Sequence, residues 1–193
     1  MEPLLPKHED DLVVACQRGD AEAAGELVDL FWQRVYAFSY RLTLNGTDAE
    51  DITQETFLRA LSKIQSYKSE ERFKSWLFRI ATNLYIDQKK ASRNKDVSSQ
   101  DLGQFTPAAK GLDPQQSLDQ KELLSALQTV IKTLTKEQQV VLLLRAIEHL
   151  DYPEIAAILE TKESTARWHM YEARRILRQQ LSKQFDLEAF ADE

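Results

Sequence analysis

The stretch from Leu150 to Leu177, LDYPEIAAILETKESTARWHMYEARRIL, constrains this chain most, because its signals specify two short helices and a tight turn between them. Asp151 and Glu154 have the spacing of a capping box, in which each side chain satisfies a backbone donor at a helix start. Pro153 falls in that first turn, where its missing N–H would have no intrahelical partner anyway. Ile155, Ala156 and Leu159 give the first helix an apolar face. The second helix repeats Ala166, Met170, Ala173 and Leu177 in the four-then-three rhythm of a packed stripe. Beside it run Arg167, Tyr171, Arg174 and Arg178, flanked by Trp168 and Arg175. A helix with one packed face and one basic, aromatic face suits a DNA major groove. The same pattern also fits an ordinary helical protein, in which the arginines are solvated and Trp168 and Tyr171 are packing residues.

The rest of the chain narrows the choice. Its 193 residues can bury one good core or two small ones. Long runs of helix formers, with only five Gly and five Pro, predict an all-α protein. No stretch approaches the ~20 apolar residues that span a bilayer. The N-terminal MEPLLPKHEDDL is too acidic for a signal peptide. Cys16 is the lone cysteine and falls within a predicted helix, so a buried thiol and a reducing, cytoplasmic setting are expected. The net charge of −6 is unevenly spread. Residues 1–58 carry 4 basic and 12 acidic side chains, whereas residues 59–95 carry 10 basic and 3 acidic. A second basic patch lies on the helix from Thr161 to Lys183. An acidic chain with two separated basic patches is a polarised layout.

In chain order, His8 to Arg18 reads as a short amphipathic helix with Leu12, Val13, Ala15 and Cys16 inside. Gly19 ends it and Asp20 caps a long helix from Ala21 to about Leu44, with Leu27, Leu30, Phe31, Val35, Phe38 and Leu42 at helical spacing. Asn45-Gly46 is a turn signal, and Thr47 with Glu50 makes another capping-box pair. In the helix that follows, Ile52, Phe57, Ala60, Leu61 and Ile64 face inward, and Asp51, Gln54, Glu55 and Leu58 share the opposite, wet face. A polar loop from Gln65 to Arg72 leads into a helix with Phe73, Trp76, Leu77, Ile80, Leu84 and Tyr85 at least half-buried. Arg79, Asn83, Asp87 and Lys90 line a second face of that helix. Such basic groups beside an amide and loop aromatics could hold single-stranded nucleic acid, although Trp76 and Phe73 fit a core equally well. From about Ser92 to Gln116 periodicity vanishes into a Ser-, Gln-, Asp-, Gly- and Pro-containing connection. Helices are expected from Leu118 to Lys132 and from Lys136 to His149, ahead of the helix-turn-helix.

Several chemistries are not indicated. The chain has no GxxxxGK[ST] loop, GxGxxG turn or HExxH pair, and His8, His149 and His169 do not cluster with other metal ligands. No catalytic residues, no metal and no cofactor are predicted.

Two segments, DAEDITQETFLRAL followed by RFKSWLFRIATNLYIDQKK, resemble the second conserved region of the extracytoplasmic-function (ECF) class of bacterial RNA polymerase sigma factors. LTKEQQVVLLLRAIEHLDYPEIAAILETKESTARWHMYEARRIL is similar to their fourth region. The resemblance runs from Leu12 over most of the chain, leaving out the linker and the last ten residues. It implies two small helical domains, a region-two-like bundle over residues 1–91 and a region-four-like helix-turn-helix over 117–185. A flexible linker, 92–116, would join them, and 186–193 would be a tail. It further implies a dissociable, non-enzymatic subunit that directs core polymerase to promoters and helps open them.

The family's roles then fall on matching residues. Asp51, Gln54, Glu55 and Leu58 would dock on the clamp helices of the polymerase largest subunit, and the second domain would meet the flap of the second-largest subunit. Tyr67, Lys68, Arg72, Lys74, Trp76, Arg79 and Asn83 would bind the minus-ten element, where the family captures a base flipped from the stack. Lys162, Ser164, Thr165, Arg167, Trp168, His169, Tyr171, Arg174 and Arg175 would bind the minus-thirty-five element, with Arg167 foremost. About 25 linker residues could stretch to ~80 Å, roughly two dozen base pairs at ~3.4 Å each. An anti-sigma protein covering both domains is a further candidate partner. Departures from the family pattern fall at Glu160, where a Gly is usual at the turn, at Glu172, where an Arg is usual, and at Thr135 and Gln139, where a Pro and an Arg are common. A stand-alone helix-turn-helix regulator would bind an operator without polymerase. An all-α adaptor would have no promoter function.

Overall fold

Gly19 and Asp20 make the first junction of the computed structural model, which describes residues 7–68, 72–92 and 125–182. Gly19 takes φ +89°, a left-handed conformation that costs glycine little, and ends α1 (Lys7–Gln17). The Asp20 side chain then accepts from the Glu22 and Ala23 backbone N–H groups and starts α2 (Ala21–Thr43). Both assignments follow the sequence reading.

The next junction differs. Leu44, not a glycine, takes the left-handed cap at φ +54° and donates its N–H to the Tyr40 carbonyl at 2.7 Å. Asn45 is the cap of α3 (Gly46–Lys63), accepting from the Asp48 N–H at 3.0 Å, so Thr47 is already inside the helix. The connection is tighter than the Asn45-Gly46 signal suggests because the two caps are adjacent residues. A 3₁₀ turn (Ile64–Ser66) follows α3, and α4 (Phe73–Ser92) completes this part.

The described residues divide into two compact units, one built from the helices before residue 103 and the other from the helices after it. In the first, α2, α3 and α4 pack on one another and α1 covers one side. Phe31, Phe38, Phe73 and Phe78 are each at most 2% exposed, and burying such a side chain contributes about 1.5–3 kcal/mol. Phe38 meets Phe78 edge-on at 5.0 Å, tying α2 to α4. Ile52, Phe57, Ala60 and Ile64 are buried as expected, whereas Leu61 is only half-buried. Thr53 and Thr56 are fully buried beside them, and each hydroxyl donates to the carbonyl four residues back. Leu30, counted among the inner residues of α2, is 48% exposed. Cys16 is buried, and burial pushes its thiol pKa up, with Asp20 adding to it.

In the second unit a helix over 125–131 (α5) precedes α6 (Lys136–Ala146), α7 (Tyr152–Ile158) and α8 (Glu163–Leu181). Thr135, one of the departures from the family pattern, caps α6 in a reciprocal box with Gln138. Gln139, another, is 8% exposed and donates to the Ile131 and Leu134 carbonyls, tying α6 to the end of α5. Both substitutions therefore have structural work. The Asp151–Glu154 box forms in both directions, at 3.0 and 2.9 Å. Ala166, Met170 and Ala173 bury one face of α8, which packs on α6. Glu160 has φ +52°, the strained conformation its position usually reserves for glycine. The predicted linker, Lys90's side chain, the start of the helix expected at Leu118 and the tail lie outside the described residues. Among the described residues there is no strand, and no helix is long and apolar enough to cross a membrane.

Candidate functional site

Three surfaces collect the predicted residues. The first is the outer face of α3. Asp51, Gln54 and Leu58 are exposed and Glu55 is half-exposed, because Ile52, Thr53, Thr56 and Phe57 take the inner face. Gln54 Nε2 donates to Glu50 at 3.3 Å, and Arg59 Nε donates to Glu55 at 2.6 Å. These exposed pairs organise the surface more than they stabilise it. Asp51, Glu55 and Arg59 also line a groove of about 300 Å³ with Leu84 and Asp87 of α4. The sequence reading put Asp87 with Arg79 and Asn83 on the nucleic-acid face. The structure sets it beside the acidic side chains of α3, a placement that only the packing of α3 on α4 reveals.

The second surface surrounds the segment between the 3₁₀ turn and α4. Tyr67, Phe73 and Trp76 form an aromatic cluster with centroids 5.2–5.6 Å apart, and Phe73 in turn meets Phe31 of α2 at 5.6 Å. Tyr67 is 8% exposed and packs against Trp76. Lys68, Arg72 and Asn83 are exposed, while Lys74, Trp76 and Arg79 are half-buried. The sequence reading missed Gln17 of α1, whose amide donates to the Ile64 and Tyr67 carbonyls at 3.0 and 2.9 Å.

The third surface is α8. Trp168 and Tyr171 are 55% and 65% exposed, on the outer face of the helix and not packed as the ordinary-helix alternative would have them. Lys162, Ser164, Arg167, Arg174 and Arg175 are also exposed, and Thr165 is half-buried. His169 is half-buried, with its Nδ1 enclosed and its ring edge-on to Trp168 at 5.0 Å. Arg167 is held twice. Its Nε donates to Glu163 at 2.8 Å, and its guanidinium lies 4.3 Å from the centroid of the Tyr152 ring. Arg145 covers the same ring at 5.1 Å and donates to the Leu150 carbonyl. Glu172, a departure from the family pattern, is paired with Arg175 at 2.8 Å, which raises the guanidinium pKa. No group of three or more potential metal ligands occurs among the described residues.

Comparison with known proteins identifies the family. A family model described as Sigma-70 region 2 matches residues 27–95, and one described as Sigma-70, region 4 matches 124–177. The chain is 33% identical over 172 residues to the ECF RNA polymerase sigma factor SigW of Bacillus subtilis, covering 86% of this chain and 92% of that protein. It is 36% identical over 160 residues to the ECF RNA polymerase sigma factor SigE of Mycolicibacterium smegmatis, covering 82% of this chain and 61% of that protein. Among solved structures, CnrH in complex with the cytosolic domain of CnrY aligns with a TM-score of 0.69 at 22% identity, over 92% of this chain and 99% of that one. The sigma factor RpoE in complex with the anti-sigma factor NepR from Bartonella quintana aligns with a TM-score of 0.66 at 23% identity, over 82% and 96%. At such identities these two structures speak for the fold alone.

Proposed function

Since the chain belongs to the ECF sigma factors, which direct RNA polymerase to promoters, we propose how its three surfaces divide that work. Residues 1–91 form the domain that holds core polymerase and the minus-ten element, 92–116 the linker, and 117–185 the domain that reads the minus-thirty-five element. The α3 face of Asp51, Gln54, Glu55 and Leu58 docks on the clamp helices of the largest subunit. Tyr67, Lys68, Arg72, Lys74, Trp76, Arg79 and Asn83 engage the minus-ten element, with the Tyr67 ring packed against Trp76. The unstacking of a base there, a few kcal/mol, is offset by stacking and by phosphate contacts to the lysines and arginines. On α8, Arg167 makes the leading base or phosphate contact, with Trp168, Tyr171, Arg174 and Arg175 around it. The second domain rests on the flap of the second-largest subunit.

One observation carries the polymerase assignment. Asp51, Gln54 and Leu58 lie exposed together on one outer face of α3, the face whose sequence resembles the family's polymerase-docking helix. The protein works in the cytoplasm, where its polymerase is. An anti-sigma protein is a further proposed partner, as the family resemblance implies.

Run-off transcription with purified core polymerase on a promoter library tests this division. Transcripts should depend on the protein, disappear with Asp51→Arg or Leu58→Asp through lost core binding, and disappear with Asn83→Ala despite normal core binding. Undiminished transcription from all three variants would overturn it. Tight duplex binding without polymerase would point instead to a stand-alone regulator.

A further inference from the structure

Helix α1 supplies none of the predicted contact residues, yet it reaches both ends of the segment that joins the 3₁₀ turn to α4. At the entry, Gln17 spends both N–H groups of its amide on backbone carbonyls, those of Ile64 and Tyr67 at 3.0 and 2.9 Å. The Ile64 carbonyl also accepts the Tyr67 N–H at 3.2 Å, so Gln17 completes the hydrogen bonding of this turn. At the exit, the half-buried Glu9 carboxyl faces the Lys74 backbone N–H in the first turn of α4, whose pull on its pKa opposes that of burial. Glu9 and Gln17 stand two turns apart, about 12 Å along the helix axis. The helix between them is anchored, with Leu12, Val13 and Cys16 at 4–7% exposure. Side-chain anchors on one rigid helix therefore fix two backbone points that flank Lys68 and Arg72.

We propose that α1 is a brace for the promoter-opening surface, with Gln17 and Glu9 as positioning residues that set the spacing and orientation of its two backbone ends. This rests on the reading that Lys68, Arg72 and Asn83 act on the minus-ten element. The route of action is short. Gln17 holds the Tyr67 carbonyl, the Tyr67 ring lies 5.2 Å from Trp76, and Trp76 is part of the proposed contact surface. Loss of the amide donors leaves the fold's apolar packing intact but frees the entry of the segment to rotate. A surface that must receive an unstacked base is sensitive to such misplacement.

The test uses holoenzyme reconstituted from the full chain and core polymerase, on a promoter fragment identified by run-off transcription and labelled with 2-aminopurine in its minus-ten element. Gln17→Met keeps the shape and removes the donors. It should bind core within twofold of the unmodified protein and open the promoter about tenfold more slowly, the effect of losing one positioned contact. Affinity of the holoenzyme for the single-stranded non-template oligonucleotide should fall by a similar factor. Glu9→Ala should slow opening likewise, and Glu9→Gln, which keeps an acceptor, should restore it. Opening rates equal to the unmodified protein would overturn the brace, as would a loss of opening no greater than the loss of core affinity. Arg72→Ala and Asn83→Ala separate the two ideas. If they slow opening and Gln17→Met does not, only the brace fails; if they too leave opening unchanged, the surface assignment fails and the brace with it. Should Gln17→Met not fold, the contrast between Glu9→Ala and Glu9→Gln decides.

Discussion

The two units place their working side chains by different means. On α8 the supports are mostly neighbours on the same helix: Glu163 holds Arg167 four residues on, and Glu172 holds Arg175 three residues on. Around the entry to α4 the supports come from far along the chain. Gln17 reaches carbonyls 47 and 50 residues away, and Phe31 of α2 backs Phe73. A surface built on one helix tolerates loss of a neighbour, because the helix itself still sets the spacing. A surface assembled from three helices and a turn does not. Damage to packing should therefore spread through the first unit's function and stay local in the second.

The largest expected effect comes from Phe73→Ala. That ring is 2% exposed and touches Phe31, Tyr67 and Trp76, so its removal should cost about 3–5 kcal/mol. Calorimetry should show the first unit unfolding at lower temperature, with core binding and opening both impaired. A variant that melts like the unmodified protein but fails only in opening would show that the cluster serves DNA contact and not packing.

On α8 the matching experiment is Arg167→Ala, expected to weaken holoenzyme binding to the upstream element by about 1–3 kcal/mol. Tyr152→Leu keeps apolar volume but removes the ring between Arg145 and Arg167, contacts worth about 0.5–1 kcal/mol each at exposed sites. It should produce a smaller loss in the same assay and leave promoter opening from bound complexes unchanged. Equal losses from the two variants would mean that the tyrosine itself meets DNA.

This contrast also explains what could be read from the sequence. Helices α2, α3 and α8, the Asp20 cap, the Asp151–Glu154 box and the outer face of α3 are written in spacings of two to four residues, which periodicity and capping rules detect. Leu30 has the right spacing yet is exposed, because spacing defines a face and not what covers it. The burial of Tyr67 likewise follows from tertiary packing and not from local spacing. Gln17, and the turn of Asp87 toward α3, depend on tertiary contacts that leave no local signal.

The units differ again at their left-handed caps. Glu160, at φ +52°, is exposed and makes little use of its side chain, so Glu160→Gly should stabilise the second unit by about 1 kcal/mol. Leu44, at φ +54°, is half-buried, and Leu44→Gly would relieve similar strain while exposing apolar surface. The two effects offset, and the melting temperature of the first unit should hardly move. A stabilisation by Leu44→Gly as large as that by Glu160→Gly would show that the Leu44 side chain contributes no packing.

The smallest effect concerns the pH dependence of the brace. Burial and then Asp10 raise the Glu9 pKa, and this outweighs the Lys74 N–H together with the positive charges of Arg34 and Lys74, which lower it. A carboxyl with a raised folded-state pKa holds its proton more tightly in the folded chain, so it favours folding at low pH. That contribution is lost as pH rises through the folded-state value, where the half-buried carboxylate must be charged. Glutamine at this position does not titrate. The stability of the unmodified protein relative to Glu9→Gln should therefore decline from below the ordinary carboxylate range towards neutrality, as read from paired denaturant titrations. A difference that instead grows with pH would mean that Lys74 and Arg34 outweigh burial, and that Glu9 braces α4 as an ion pair more than as a buried acceptor.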